Sequence, residues 1–152
     1  MDLNWDTGTQ YALSHMNLVM DIAGGTCSCT DFMQAISWDE IIGSSTSDTC
    51  TVNYNGFLEC SGDPSIPGVD GILLKFEPVE GMDCEPGTMG SATFVFYSNL
   101  PPAPIDADIL SLVDKYALNS CQGSLTGDFP SMACDPVSTE TLKWGSAKSL
   151  FW

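Results

Sequence analysis

The sequence predicts a mainly β protein: a disulfide-stabilised, β-sandwich-like domain with one short helix near the C-terminal third. Three observations carry this. Several segments alternate apolar and polar residues with the period of two that a half-buried strand requires. Stretches rich in Gly, Pro and Ser fall between them and read as turns. Seven cysteines occur in 152 residues, at spacings that suit cross-links better than a metal cluster or a redox pair.

Tyr11 to Ile22 is the first strand, with Ala12, Met16, Leu18, Met20 and Ile22 on one face and His15, Asn17 and Asp21 on the other. On this reading His15 faces solvent. Phe32 to Ile42 fits a strand through Phe32, Ile36 and Trp38, and fits a short helix nearly as well, so both stay open.

Cys50 to Cys60, CTVNYNGFLEC, reads as a hairpin. A loop of Tyr54, Asn55 and Gly56, with glycine in the left-handed position, gives one face of Cys50, Val52, Leu58 and Cys60. That register has a consistent buried face, and it sets Cys50 across from Cys60. Ile72, Leu74 and Phe76 alternate with Leu73, Lys75 and Glu77 in a further strand that stops at Pro78. Ala92, Phe94 and Phe96 against Thr93, Val95 and Tyr97 make another.

The β body thus covers about residues 10–100. Leu100-Pro101-Pro102-Ala103-Pro104 is a stiff extended connector at about 100–105. The period then changes. Ile109, Leu112, Val113 and Tyr116 recur at helical spacing, Asp106 can cap, and Ile105 with Leu110 can form a hydrophobic staple, so a helix is expected over Asp106 to Leu118. This helix and the tail form the last part, 106–152, of a single domain spanning 1–152. The apolar end Leu150-Phe151-Trp152 is expected to pack on its own sheets or to contact a partner.

Cys27-Ser28-Cys29 lacks the CxxC spacing of a zinc or thioredoxin-type site, and the single histidine limits any mixed Cys/His cluster to one nitrogen ligand. The seven cysteines, Cys27, Cys29, Cys50, Cys60, Cys84, Cys121 and Cys134, are therefore read as a disulfide framework with one odd member. The expected pairs are Cys50–Cys60 and Cys121–Cys134, with Cys84 taking one of Cys27 and Cys29. As residues i and i+2 of an extended strand, those two would face the same way, leaving one unpaired. An odd cysteine is either inert and buried or bonded to another chain.

Twenty acidic residues stand against four lysines and no arginine, a formal charge of −16. Such a surface repels phosphate, which argues against nucleic acid, phosphorylated ligands and anionic membranes. No run approaches the roughly 20 apolar residues of a membrane span, so no membrane insertion is expected. The opening MDLNWDTG carries neither a basic start nor an apolar stretch, which suits either an intracellular chain or a mature secreted one. The cysteines favour an extracellular or cell-surface location.

No resident cofactor is expected. Calcium is the one candidate ion, since it tolerates irregular oxygen-rich loops, and Asp63, Asp70, Asp106 and Asp108 could supply ligands. No catalytic residue is assigned: there is no nucleophile elbow and no phosphate-binding glycine loop. The expected function is therefore non-enzymatic: a structural module of an extracellular filament, surface layer or adhesin, whose partners are copies of itself or another surface protein. One alternative is a glycan- or protein-binding accessory module of a secreted enzyme, with Trp5, Trp38 or Tyr97 as a sugar platform. A second is a small carboxylate-dependent hydrolase.

Overall fold

Alternation along the chain does become strands, and their pairing decides how the sheet bends. A computed structural model describes residues 1–20, 25–37, 41–46, 50–79, 84–105, 111–125 and 127–134. The elements are β1 Asp2–Asp6, β2 His15–Val19, α1 Cys29–Ala35, β3 Ile42–Thr46, β4 Thr51–Glu59 and β5 Leu73–Pro78, followed by β6 Met89–Val95, β7 Pro102–Ile105, β8 Ser111–Tyr116, β9 Asn119–Ser124 and β10 Gly127–Pro130. Eight strands form an antiparallel sheet in the order β1-β6-β3-β4-β5-β2-β8-β9, while β7 pairs with β10. Within it β6-β3-β4-β5 is a Greek key, the fourth strand returning beside the first.

The sheet is curled. Phe94 on β6 and Phe76 on β5 lie three strand positions apart, about 14 Å in a flat sheet, yet their ring centroids are 4.7 Å apart. Tyr54 on β4 meets Phe94 edge-on at 5.1 Å. Glycine makes room for these rings: a Cβ on Gly43 of β3 would run into the Phe94 ring, and one on Gly56 of β4 into Ile41. The concave side holds the core, with Met16, Leu18, Val52, Leu74 and Phe76 almost wholly removed from water. The sandwich-like character comes from this curl. Helix α1 adds Phe32, and its C-cap adds Ile36, to the same core.

The short helix lies in the first third of the chain instead of the last. Ser28 caps it: its hydroxyl accepts from the Asp31 amide at 3.3 Å, and the Asp31 carboxylate accepts from the Ser28 amide at 2.7 Å. This settles the open reading of Phe32 to Ile42 in two parts, a helix to Ala35 and a strand from Ile42. The expected helix at Asp106 to Leu118 is corrected: residues 111–116 are strand β8, paired with β2 on one side and β9 on the other. Ile105 belongs to β7, and 106–110 lie outside the described residues. Four apolar residues at helical spacing did not outweigh two open ladders of backbone partners. The proline connector is extended as expected, and it is a strand: Pro102 and Pro104 stand two apart, so both miss the same class of ladder position opposite β10.

The hairpin at Cys50 to Cys60 is also corrected. β4 is one continuous strand, with Asn55 paired to Ile42 on one side and to Glu77 on the other. Cys50 and Cys60 flank its two ends, and ten residues of extended chain span about 33 Å, far beyond any disulfide. Cys50 bonds Cys84, Cys60 bonds Cys29, and Cys27 bonds Cys134. Cys27 and Cys29 are both paired because Ser28 turns the chain into α1 and sends the two sulfurs apart. The cysteine left over is Cys121, exposed on β9, so the expected Cys121–Cys134 bridge does not form.

Candidate functional site

β2 is buried on both faces. Met16 and Leu18 point to the core; His15 and Asn17, on the opposite face, are 5% and 0% exposed. The expectation that His15 faces solvent is overturned by what covers it. Between β4 and β5 the chain closes into a loop whose ends are joined by the Gly62 amide donating to Gly71 O at 2.7 Å, and by the Asp63 amide donating to Val69 O at 3.0 Å. Gly62 has φ +79°, and a Cβ there would strike Val69 O. The loop lays Asp63 over the outer face of β2 and β5.

Asp63 is the hub. Its Oδ2 lies 2.7 Å from His15 Nε2, accepts from Asn17 Nδ2 at 3.0 Å and is 3.4 Å from Lys75 Nζ. Its Oδ1 accepts from the Ser65 amide at 2.8 Å and the Ser65 hydroxyl at 2.6 Å. Lys75 also pairs with Glu77 at 2.7 Å. On the other side of the imidazole, Nδ1 is 3.3 Å from the hydroxyl of exposed Ser14. Asn17 Oδ1 is buried with no partner among the described residues.

These contacts set the charge states. Burial pushes the Asp63 carboxyl up, but donors from Ser65 and Asn17, together with the His15 imidazolium that forms in acid, outweigh it and hold the group well below the usual carboxylate range. Burial and the neighbouring Lys75 ammonium depress the His15 imidazole, against the pull of Asp63 and Glu77. Burial lowers Lys75, and the bond to Glu77 and the charge of Asp63 more than reverse this, so it stays cationic. An ionised Asp63 only accepts, so a neutral His15 donates from Nε2 and leaves the Nδ1 lone pair toward Ser14.

Ser14 and His15 border a cleft of about 610 Å³, whose other walls include Tyr11, Glu77, Pro78, Glu85 and Ala117. It lies where the segment entering β2, the end of β5 and the β8–β9 turn converge. A neutral imidazole between a carboxylate and a hydroxyl can take a proton from that hydroxyl.

Of the residues singled out as calcium ligands, Asp63 turns inward onto protein donors and Asp70 is exposed. Asp106 and Asp108 lie outside the described residues, as do Leu150, Phe151, Trp152 and Trp38. Among the described residues no three His, Cys, Asp or Glu side chains converge to hold an ion. Trp5 is a core residue that donates to Gly87 O at 3.0 Å, whereas Tyr97 is exposed. The Asp63 cluster escaped sequence reasoning because 48 residues separate its carboxylate from His15. The one available signal was a lone histidine in an otherwise strand-like run.

Fold and site together define an antiparallel, disulfide-bonded β protein with a buried carboxylate–imidazole cluster on the outer face of its sheet. Comparison with protein-family models, with curated proteins and with solved structures gives no match. Among the described residues no helix is long and apolar enough to cross a membrane.

Proposed function

We propose that the chain is a secreted or cell-surface structural module, a subunit of an extracellular filament, surface layer or adhesin. The observation that supports this reading is the cystine framework with its one odd thiol. Three bridges, one closing a 107-residue separation, suit an oxidising compartment. Cys121 is exposed on β9, and among the described residues β9 pairs on one side only. Its sequence, NSCQGS, has none of the charges or prolines that usually guard a sheet edge. An edge of this kind accepts another strand, and a thiol on it can make the contact covalent.

Intact mass before and after reduction, non-reducing gels and electron microscopy of the purified protein test the proposal. The expected result is three internal bridges per chain, with higher-order species that diminish in Cys121→Ser. A protein that is monodisperse and monomeric with and without Cys121 counts against it. A glycan array, run with and without calcium, identifies the competing accessory-module role by specific sugar binding.

A further inference from the structure

We propose that Ser14, His15 and Asp63 form an acyl-transfer site at the 610 Å³ cleft, with Ser14 as the nucleophile and small neutral or cationic esters as substrates. This goes beyond the assembly role and uses neither Cys121 nor the β9 edge.

The geometry has the three parts that activate a hydroxyl. Ser14 is exposed at the cleft, so its Oγ is open to a substrate. His15 Nδ1 stands 3.3 Å away, the loose contact usual before substrate draws nucleophile and base together. Asp63 holds the far nitrogen at 2.7 Å and is itself fixed by Ser65 and Asn17, which makes it a positioning residue for the imidazole. The depressed basicity of His15 keeps its lone pair available at neutral pH.

The reaction balances without a cofactor. Ser14 Oγ adds to the ester carbonyl carbon as its proton passes to His15 Nδ1. That proton then goes to the departing alkoxide, so the carbon–oxygen bond of the ester breaks, the alcohol leaves, and the acyl group stays on Ser14. A water molecule, deprotonated by the same nitrogen, adds to the acyl carbon. Ser14 departs with the proton restored, and a carboxylic acid is released. Glu77 and Glu85 at the cleft, on a chain of charge −16, disfavour esters that already carry a carboxylate.

The test is covalent capture. Intact native protein is treated with a fluorophosphonate probe, and the adduct is located by peptide mapping. One adduct on the Ser14 peptide is expected, and Ser14→Ala, a change at an exposed position, should abolish it while the thermal melt stays the same. Hydrolysis of p-nitrophenyl acetate should fall to the buffer rate in the same variant. His15→Gln should slow labelling by about 10²-fold or more.

If that variant does not fold, the wild-type pH profile reads the base directly. The charged groups acting on His15 are Asp63 from the covering loop and Lys75 and Glu77 from β5, and Lys115 is its backbone register partner on β8. Labelling should rise with pH and level off with a midpoint below 6.5. A purely structural His15 predicts that Ser14→Ala changes nothing. An unlabelled wild type, labelling that survives in Ser14→Ala, or labelling with no such midpoint overturns the proposal.

Discussion

Asp63 carries the polar layer on the outer face of the sheet, because its two oxygens gather donors from β2, β5 and its own loop. Asp63→Asn keeps the size but removes the charge that faces His15 and Lys75. Breaking a buried pair from one side costs about 3 kcal/mol, and urea unfolding of the variant should show a loss of that order. The pH dependence follows from the same contacts. Asp63 is depressed below 3.8, so its stabilisation is present above that value and fades as the solution is acidified through it. His15 is depressed below 6.5, so from 6.5 downward the unfolded chain takes a proton that the folded imidazole resists, and stability falls. Lys75 is raised above 10.5, so its contribution holds below that value and is lost as pH climbs through the folded value. Thermal melts should therefore plateau between about pH 7 and 10 and decline on both sides. In Asp63→Asn the fall below 3.8 should be shallower, whereas the fall from 6.5 downward should steepen, because His15 loses the carboxylate that supports its charge.

Strand β4 shows how one glycine can serve two opposite readings. Asn55-Gly56 is the commonest hairpin signal, yet here Gly56 lies in the middle of a ladder, where absence of a side chain lets Ile41 and Phe76 close over it. Gly43 does the same for the Phe94 ring one strand away. Gly43→Ala should cost about 1–3 kcal/mol, measured by denaturant unfolding, because the ring must shift in a packed core. The β8–β9 turn offers the reverse experiment. Ala117 holds φ at +51°, a conformation that strains any residue with a Cβ. Ala117→Gly should raise stability by about 0.5–1 kcal/mol, visible as a higher melting temperature.

Across the whole molecule the three cystines anchor separate parts of the chain: both flanks of β4, the start of α1 and the segment after β10. The Cys27–Cys134 bridge closes the longest separation, 107 residues, against 31 and 34 for the other two. Loop entropy assigns it about 4.7 kcal/mol and each of the others about 3.7. Cys27→Ser with Cys134→Ser should thus destabilise more than removal of either shorter bridge, by denaturant midpoint under non-reducing conditions. The curled sheet adds a second dependence on long-range contacts, since its aromatic centre joins β4, β5 and β6 across the Greek key.

Strand content, the disulfide-rich class and most apolar faces were legible in the sequence, because side-chain alternation and cysteine spacing are local properties. The Ser28–Asp31 capping box went unread, because Cys27-Ser28-Cys29 reads as extended strand, although the box marks α1 more surely than the helical spacing near Leu112 marks a helix. Which cysteine met which, whether Asn55-Gly56 turned or ran straight, and what covered His15 were decided only by the tertiary structure. Each depends on groups brought together by the curl of the sheet and the closure of the 60–72 loop, and the burial and charge that follow exist only once those distant segments touch.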